Sequence, residues 1–236
     1  MMRAYPKALR LTSTNLEPPL FWRQGVQMAA LNWQDCDKGI MLNEGMFAGS
    51  GGYMLKPASY RSTSFGQQQQ YTHPQPQNMD VTIEVFAAQN LSLPRGKQHE
   101  HDFRPYIRSS LHVGVLNSST SASSPTSPSK ATQPPMLKAR TTSGSGRNAS
   151  FASHPGQGAL LSFRDVLVDE EELCFLRLKV VDDVTLGKDN LAAWTCIRLD
   201  RLKTGVRIVR LWDWSGKGEG GLLLVRVEKV VRGGNG

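Results

Sequence analysis

Residues of a type that does chemistry are common in this chain, but few stand at a spacing that points to a site. Arg3 and Tyr5 stand near the start, separated by one residue. A guanidinium supplies a planar fork of hydrogen-bond donors, and a phenol supplies an aromatic face with a hydroxyl. Taken alone, the two read as an exposed pair in a terminal segment. The five histidines are His73, His99, His101, His112 and His154. His99-Glu100-His101-Asp102 has metal-ligating residue types, but i, i+2 spacing in a polar loop reads as a solvated turn. Asp182 and Asp183 close an apolar run, and carboxylates at a strand end are oxygen donors for a hard cation. Cys36, Cys174 and Cys196 are too widely spaced for a CxxC metal site or a paired disulfide framework. They read as idle thiols of a reducing cytosol.

These residues must be positioned by elements, and the elements fall into two groups. The 236 residues are enough for one or two domains, and the 39% hydrophobic content is low for a fully globular chain of this length. The net charge of +8 points to acidic partners, either phospholipid headgroups or nucleic acid. Aromatic-rich nucleic-acid motifs are lacking, so the second class is set aside. No run approaches the roughly 20 apolar residues of a membrane-spanning helix, and no secretory leader opens the chain. Residues 1–25 are punctuated by Pro6, Pro18 and Pro19 and read as loop, with one short turn at Ser13-Thr14-Asn15. The apolar run Val26 to Leu31, ending in Asn32-Trp33-Gln34, suits a strand buried on both faces. A polar loop follows, and the Gly-Ser-Gly-Gly cluster at 49–52 marks a tight turn before Gly52-Tyr53-Met54-Leu55-Lys56-Pro57. Residues 62–79, with the run Gln67 to Gln70, are a low-complexity connector.

From Asp80 the pattern turns to strands. Val81, Ile83 and Val85 alternate with Thr82, Glu84 and Phe86. Further strands are expected at Pro105–Val113, Ala159–Phe163, Glu172–Asp183, Trp194–Leu199, Gly205–Leu211 and Leu222–Val227. Short turns and no helical period imply a β-sandwich. Between them, residues 117–158 are dominated by Ser, Thr, Pro and Gly. They offer little apolar surface to offset ordering and are expected to be a disordered insertion. Ser124-Pro125 and Ser127-Pro128 are weak phosphorylation signals.

The wording of the first group resembles the end of the Y half of the catalytic barrel of eukaryotic phosphoinositide-specific phospholipase C, in its fungal or delta-type members. The resemblance rests on Gln27, Ala30-Leu31-Asn32-Trp33-Gln34, and Gly52 to Pro57. It extends upstream through Arg3, Tyr5, Pro6, Arg10, Ser13 and Asn15 of an R-x-Y-P-x-x-x-R-x-x-S-x-N motif. It implies the last strands of a TIM-type barrel, whose sites lie at the C-terminal ends of the strands. By the same resemblance Arg3 binds a phosphate on the inositol ring and Tyr5 packs on the ring face. The family's catalytic histidines, calcium-binding carboxylates and phosphate-binding lysines lie upstream of the matched motifs, so no catalytic residue is carried over. This chain alone is expected to be inactive without a complementing X half.

The second group resembles a C2 domain over Leu176 to Asp182, Lys188-Asp189-Asn190-Leu191 and Leu202 to Leu211. A C2 module after the Y half is the order seen in phospholipase C. The expected fold class is therefore an α/β barrel remnant followed by an all-β C2 sandwich with a long disordered insertion. The expected domains are residues 1–61 for the barrel end, 62–79 for the linker, 80–230 for the C2 domain and 231–236 for the tail. A calcium loop would draw on Asp182, Asp183 and Asp189. Arg104 and Val184 stand where carboxylates are usual, which leaves too few ligands for tight binding. The resemblance implies hydrolysis of phosphatidylinositol 4,5-bisphosphate to diacylglycerol and inositol trisphosphate with calcium, by a cytoplasmic protein peripherally bound to anionic membrane. The alternative is a non-catalytic C2-type module for lipid or protein with a vestigial barrel remnant.

Overall fold

The computed structural model describes residues 1–5, 14–61, 75–114, 137–184 and 190–232. The serine-proline pairs, most of the expected linker, Arg10 and Asp189 lie outside the described residues.

Alternation builds the larger unit. In strand β3 (Gln77–Gln89) Met79, Val81, Ile83 and Val85 point inward while Asp80, Thr82 and Glu84 face out. β3 sits between β6 (Ala159–Val168) and β10 (Glu219–Arg232), antiparallel to both, and β9 (Gly205–Asp213) follows beside β10. A second layer runs β5 (Leu137–Arg140), β4 (Pro105–His112), β7 (Phe175–Asp182), β8 (Asn190–Arg198), again antiparallel throughout. β8 and β9 pair only at Ala193–Asp213 and Trp194–Trp212, so the eight strands fold over into two layers of four. Val81, Ile83, Leu161 and Phe163 from one layer meet Ile107, Leu111, Leu176 and Leu178 from the other in one apolar core.

The expected disordered stretch needs correcting from Leu137 onward. β5 pairs with β4, Ala149 and Phe151 are buried, and Phe151 N–H donates to the Phe86 carbonyl at 2.9 Å. Thr141 Oγ1 accepts from the Ile107 N–H at 3.0 Å. Polar composition hid this segment because backbone pairing orders it, with Leu137, Ala139, Ala149 and Phe151 supplying apolar contact.

Among its described residues the smaller unit, within 1–61, holds two short parallel strands, β1 (Arg3–Ala4) and β2 (Met28–Ala29), and two α-helices, α1 (Pro18–Trp22) and α2 (Lys38–Phe47). One expectation fails here. The run from Val26 is strand only at Met28–Ala29, and Met28 is 45% exposed rather than buried on both faces. Among the described residues β2 has one partner, β1, so one edge lacks a neighbour. The stretch after the polar loop is α2, begun by Asp37, whose side chain accepts from the Ile40 N–H at 3.2 Å.

Candidate substrate cleft and the interface that holds it

Arg3 ends up where a parallel strand stops. β1 pairs through Arg3–Met28 and Ala4–Ala29, and the Ala30 N–H donates to the Ala4 carbonyl at 2.9 Å. Gln27 fixes the start: its Oε1 accepts from the Met2 N–H at 2.6 Å. Arg3 and Tyr5 line one open cleft of about 450 Å³ with Gln27, Ala30, Asn43 and Phe47. Tyr5 is 64% exposed, just past the C-terminal end of the strand. The cleft thus presents a guanidinium, an aromatic face and two side-chain amides, a set suited to a polyhydroxylated, phosphorylated ring. The sequence reading passed over Gln27 and Asn43 as cleft residues. Gln27 was visible as part of a motif, but Asn43 reaches the cleft only because α2 is a helix.

Asn15, the last position of the upstream motif, is a clamp. Its backbone N–H and its Nδ2 donate to the Asp37 carboxylate at 2.7 and 3.1 Å. Its side chain also exchanges bonds with Asn32: Nδ2 to the Asn32 carbonyl at 3.0 Å, and the Asn32 N–H to Oδ1 at 2.6 Å. One amide thereby ties the chain after β2 to the head of α2.

α2 in turn lies on the outer face of β7 and β8. Trp22, Met41, Leu42 and Met46 bury themselves against Leu173, Phe175, Trp194 and Cys196 of the sandwich. Trp22 meets the Phe47 ring edge-on at 5.9 Å and the Phe175 ring at 6.1 Å. Gly45 permits the approach, since a Cβ there would lie 2.8 Å from Cys196 Sγ. Arginines rim the contact. Arg198 reaches Met46 Sδ at 3.5 Å, Arg201 reaches Met54 Sδ at 3.2 Å, and Arg23 pairs with Asp169 at 2.5 Å while donating to the Leu173 carbonyl at 3.2 Å. Burial pushes the Cys174 thiol up to about 11, and Cys36 and Cys196 up to about 12. Thiols raised in this way are poor nucleophiles near neutrality.

The acidic loop is arranged differently from a set of converging ligands. Asp182 is 1% exposed. Its carboxylate takes Lys97 Nζ at 2.5 Å and the Arg104 N–H at 3.0 Å, and the same ammonium donates to the Asp102 carbonyl at 2.8 Å. Asp183 accepts from the Ser143 hydroxyl. Among the described residues no group of three or more His, Cys, Asp or Glu converges on a point. The Lys97 ammonium sits among the oxygens that a cation would use, so the described residues of this loop do not fit calcium. His99 and His101 stack at 5.6 Å in an exposed turn.

With this geometry, residues 1–59 match the family described as phosphatidylinositol-specific phospholipase C, Y domain. The chain is 30% identical to the human 1-phosphatidylinositol 4,5-bisphosphate phosphodiesterase delta-3 over 219 residues, covering 92% of this chain and 24% of that protein. It is 26% identical to the Candida albicans 1-phosphatidylinositol 4,5-bisphosphate phosphodiesterase 1, covering 92% of this chain and 21% of that protein. The chain belongs to the phosphoinositide-specific phospholipase C family. It spans about a quarter of the length of these phospholipase C relatives. The solved structure of L. pealei PLC21 superposes on 99% of this chain with a TM-score of 0.68 at 20% identity, and the match covers 26% of that structure. Barrel end and sandwich thus occur together, in this order, in a phospholipase C fold. Among the described residues no helix is long and apolar enough to cross a membrane.

Proposed function

We propose that this chain serves a phospholipase C that hydrolyses phosphatidylinositol 4,5-bisphosphate to diacylglycerol and inositol trisphosphate. Its own part is to hold the inositol ring and to dock on the membrane. One observation carries this reading: Arg3 and Tyr5 open side by side into one cleft at the C-terminal end of a parallel strand, within a segment matching the family's Y domain. Arg3 donates to a ring phosphate and Tyr5 covers the ring face. The exposed side chains of Met28, Trp33, Tyr53 and Leu55 are the surface on which the remaining barrel strands, the X half, would pack. In this reading the protein is cytoplasmic and binds anionic membrane peripherally. The Lys97–Asp182 pair makes the sandwich's docking independent of calcium.

The test is hydrolysis of phosphatidylinositol 4,5-bisphosphate by this chain alone and mixed with a polypeptide carrying the X half of a relative. Activity on mixing only, lost in Arg3→Ala, is the expected result. Hydrolysis unaffected by Arg3→Ala would overturn the assignment of that residue.

A further inference from the structure

Strands β8 and β9 part after the pairs Ala193–Asp213 and Trp194–Trp212. From Gly205 to Arg210, β9 therefore pairs with β10 alone. In an antiparallel ladder alternate residues turn their N–H and C=O away from the neighbour, so about half of this stretch offers backbone groups to the side. Among the described residues Gly205–Arg210 makes no backbone hydrogen bond other than those to β10. The open edge is about 20 Å long. A Cβ on Gly205 would meet no heavy atom within 4 Å among the described residues, so its approach is clear at that end.

The outermost strands at the two ends of the sheet are blunted. β5 has four residues and carries Lys138 and Arg140. β6 bulges at Arg164-Asp165, where its pairing with β3 shifts and Asp165 takes a φ of 51°. Short length, charge and bulges are what keep a strand edge from pairing further. The open stretch of β9 has none of the three at its centre. Its outer row runs Val206, Ile208, Arg210, Trp212, since residues i and i+2 share a face. Val206 and Ile208 are 61% and 70% exposed, and Ile208 lies opposite Leu224, which is exposed too. Free backbone groups beside exposed apolar side chains are the template on which an added strand forms.

Charge decides what that strand is. Lys203, Arg207 and Arg210 flank or lie in the stretch, and Gly205–Leu211 holds no carboxylate. Among the described residues no carboxylate is ion-paired with any of these three cations. Arg207 turns back onto the Lys203 and Thr204 carbonyls at 2.8 and 3.2 Å, whereas Arg210 stands exposed on the outer row. A second copy pairing through its own β9 would bring three cations from each chain together with no carboxylate between them, and such contacts repel. We propose that Gly205–Arg210 is a docking edge for an extended, acidic segment of another protein, added antiparallel as a further strand of the sheet. The segment carries a carboxylate opposite Arg210 and apolar residues opposite Ile208 and Val206, at positions i, i+2 and i+4 of its own chain. The contact is independent of inositol binding and of hydrolysis.

The experiment is fluorescence anisotropy of the full chain with labelled, end-capped synthetic peptides. The first reads Thr-Glu-Thr-Val-Thr-Val-Thr, and the second has Lys in place of Glu. Two further versions of the first carry N-methyl groups on alternate amides, so that each blocks one edge of the peptide. The first peptide is expected to bind, the Lys peptide about fivefold more weakly or worse. One of the two blocked versions is expected to lose more than about tenfold and the other to bind nearly as well as the parent. Ile208→Lys, a charge set on the edge, is expected to cost more than about tenfold for every peptide. Arg210→Glu is expected to invert the preference between the Glu and Lys peptides. Both side chains are exposed, so an unchanged melting temperature shows that the fold is intact. No saturable binding up to about 1 mM, equal effects of the two edge blocks, no loss in Ile208→Lys, or no inversion in Arg210→Glu would overturn the proposal. Sedimentation of the chain without peptide is expected to show no β9-dependent dimer. A dimer abolished by Ile208→Lys would overturn the peptide assignment in favour of a second copy.

Discussion

The sandwich and the barrel segment solve the same problem in opposite ways. The sandwich buries its apolar strands against one another, as when Val81 and Ile83 of one layer meet Leu176 and Leu178 of the other. The barrel segment closes almost nothing by itself. Its helix α2 finds its apolar partners, Phe175, Trp194 and Cys196, on the outside of the sandwich, and its strands leave Met28 and Trp33 exposed. Dependence therefore runs one way. The sandwich has a complete core without α2, whereas α2, and through Asp37, Asn15 and Asn32 the strand ends that carry the cleft, hang on the sandwich. A segment that contributes only part of a barrel is held in shape by its neighbouring module rather than by its own packing.

Breaking that comparison should be easiest at Trp194, which is buried beneath α2. Trp194→Ala is expected to cost about 3–5 kcal/mol of stability, most of it in the attachment of the barrel segment; denaturant titration followed by Trp22 fluorescence checks it. In the sandwich the largest single electrostatic loss is at Lys97. Lys97→Met strands the Asp182 carboxylate in the interior and is expected to cost about 3 kcal/mol. Melting of this variant and of the parent, with and without calcium, separates an ammonium-held loop from a metal-held one: no calcium-dependent rise in the parent is expected. Gly45→Ala pushes a methyl against Cys196 Sγ and should cost about 1–3 kcal/mol. A cost near zero would mean that α2 can slide on the sheet. Asp37→Ala removes the cap of α2 and the Asn15 clamp, for about 1–2 kcal/mol, and should loosen the cleft before the sandwich.

The effect that is smallest near neutral pH is that of His112, because its cost develops only on acidification. Burial, reinforced by Arg177, holds His112 at about 3, well below its ordinary 6.5. Between those values the unfolded chain binds a proton that the folded chain does not. Stability from this group is thus complete above about 6.5 and is lost as the pH falls toward 3. His112→Gln should flatten the acid side of a stability-against-pH curve over that interval, which titration of the unfolding midpoint would read.

The strands were legible because period-two alternation such as that at Val81 to Val85 states both element and face, whereas β9 was legible as an element only: its Val206 and Ile208 are exposed, and Val209 and Leu211 face the core. The barrel segment was legible in wording but not in form. α2 contains Gly39 and Gly45, poor helix formers, and carries apolar residues on more than one side because neighbours surround it. Those glycines exist for close approach: a Cβ on Gly39 would lie 2.6 Å from Asn15 Cβ. Such a reason is tertiary and leaves no local pattern. The segment from Leu137 to Gly158 failed for a related cause, since its order comes from backbone partners on β4 and β3 that its own side chains do not announce. Arg3 and Tyr5 were named from motif alone and share a cleft. Asp182 was named as a ligand, but Lys97, distant in sequence, engages its carboxylate, and no spacing rule could have disclosed that partner.

The central claim is that the sandwich holds the barrel segment, and amide hydrogen exchange tests it most directly. Protection of Met41–Met46 in α2 and of Val81–Val85 in β3 would be compared between the parent chain and Trp194→Ala. The account predicts that α2 loses protection while β3 keeps most of its own. Equal loss in both, or an α2 as protected as before, would contradict it.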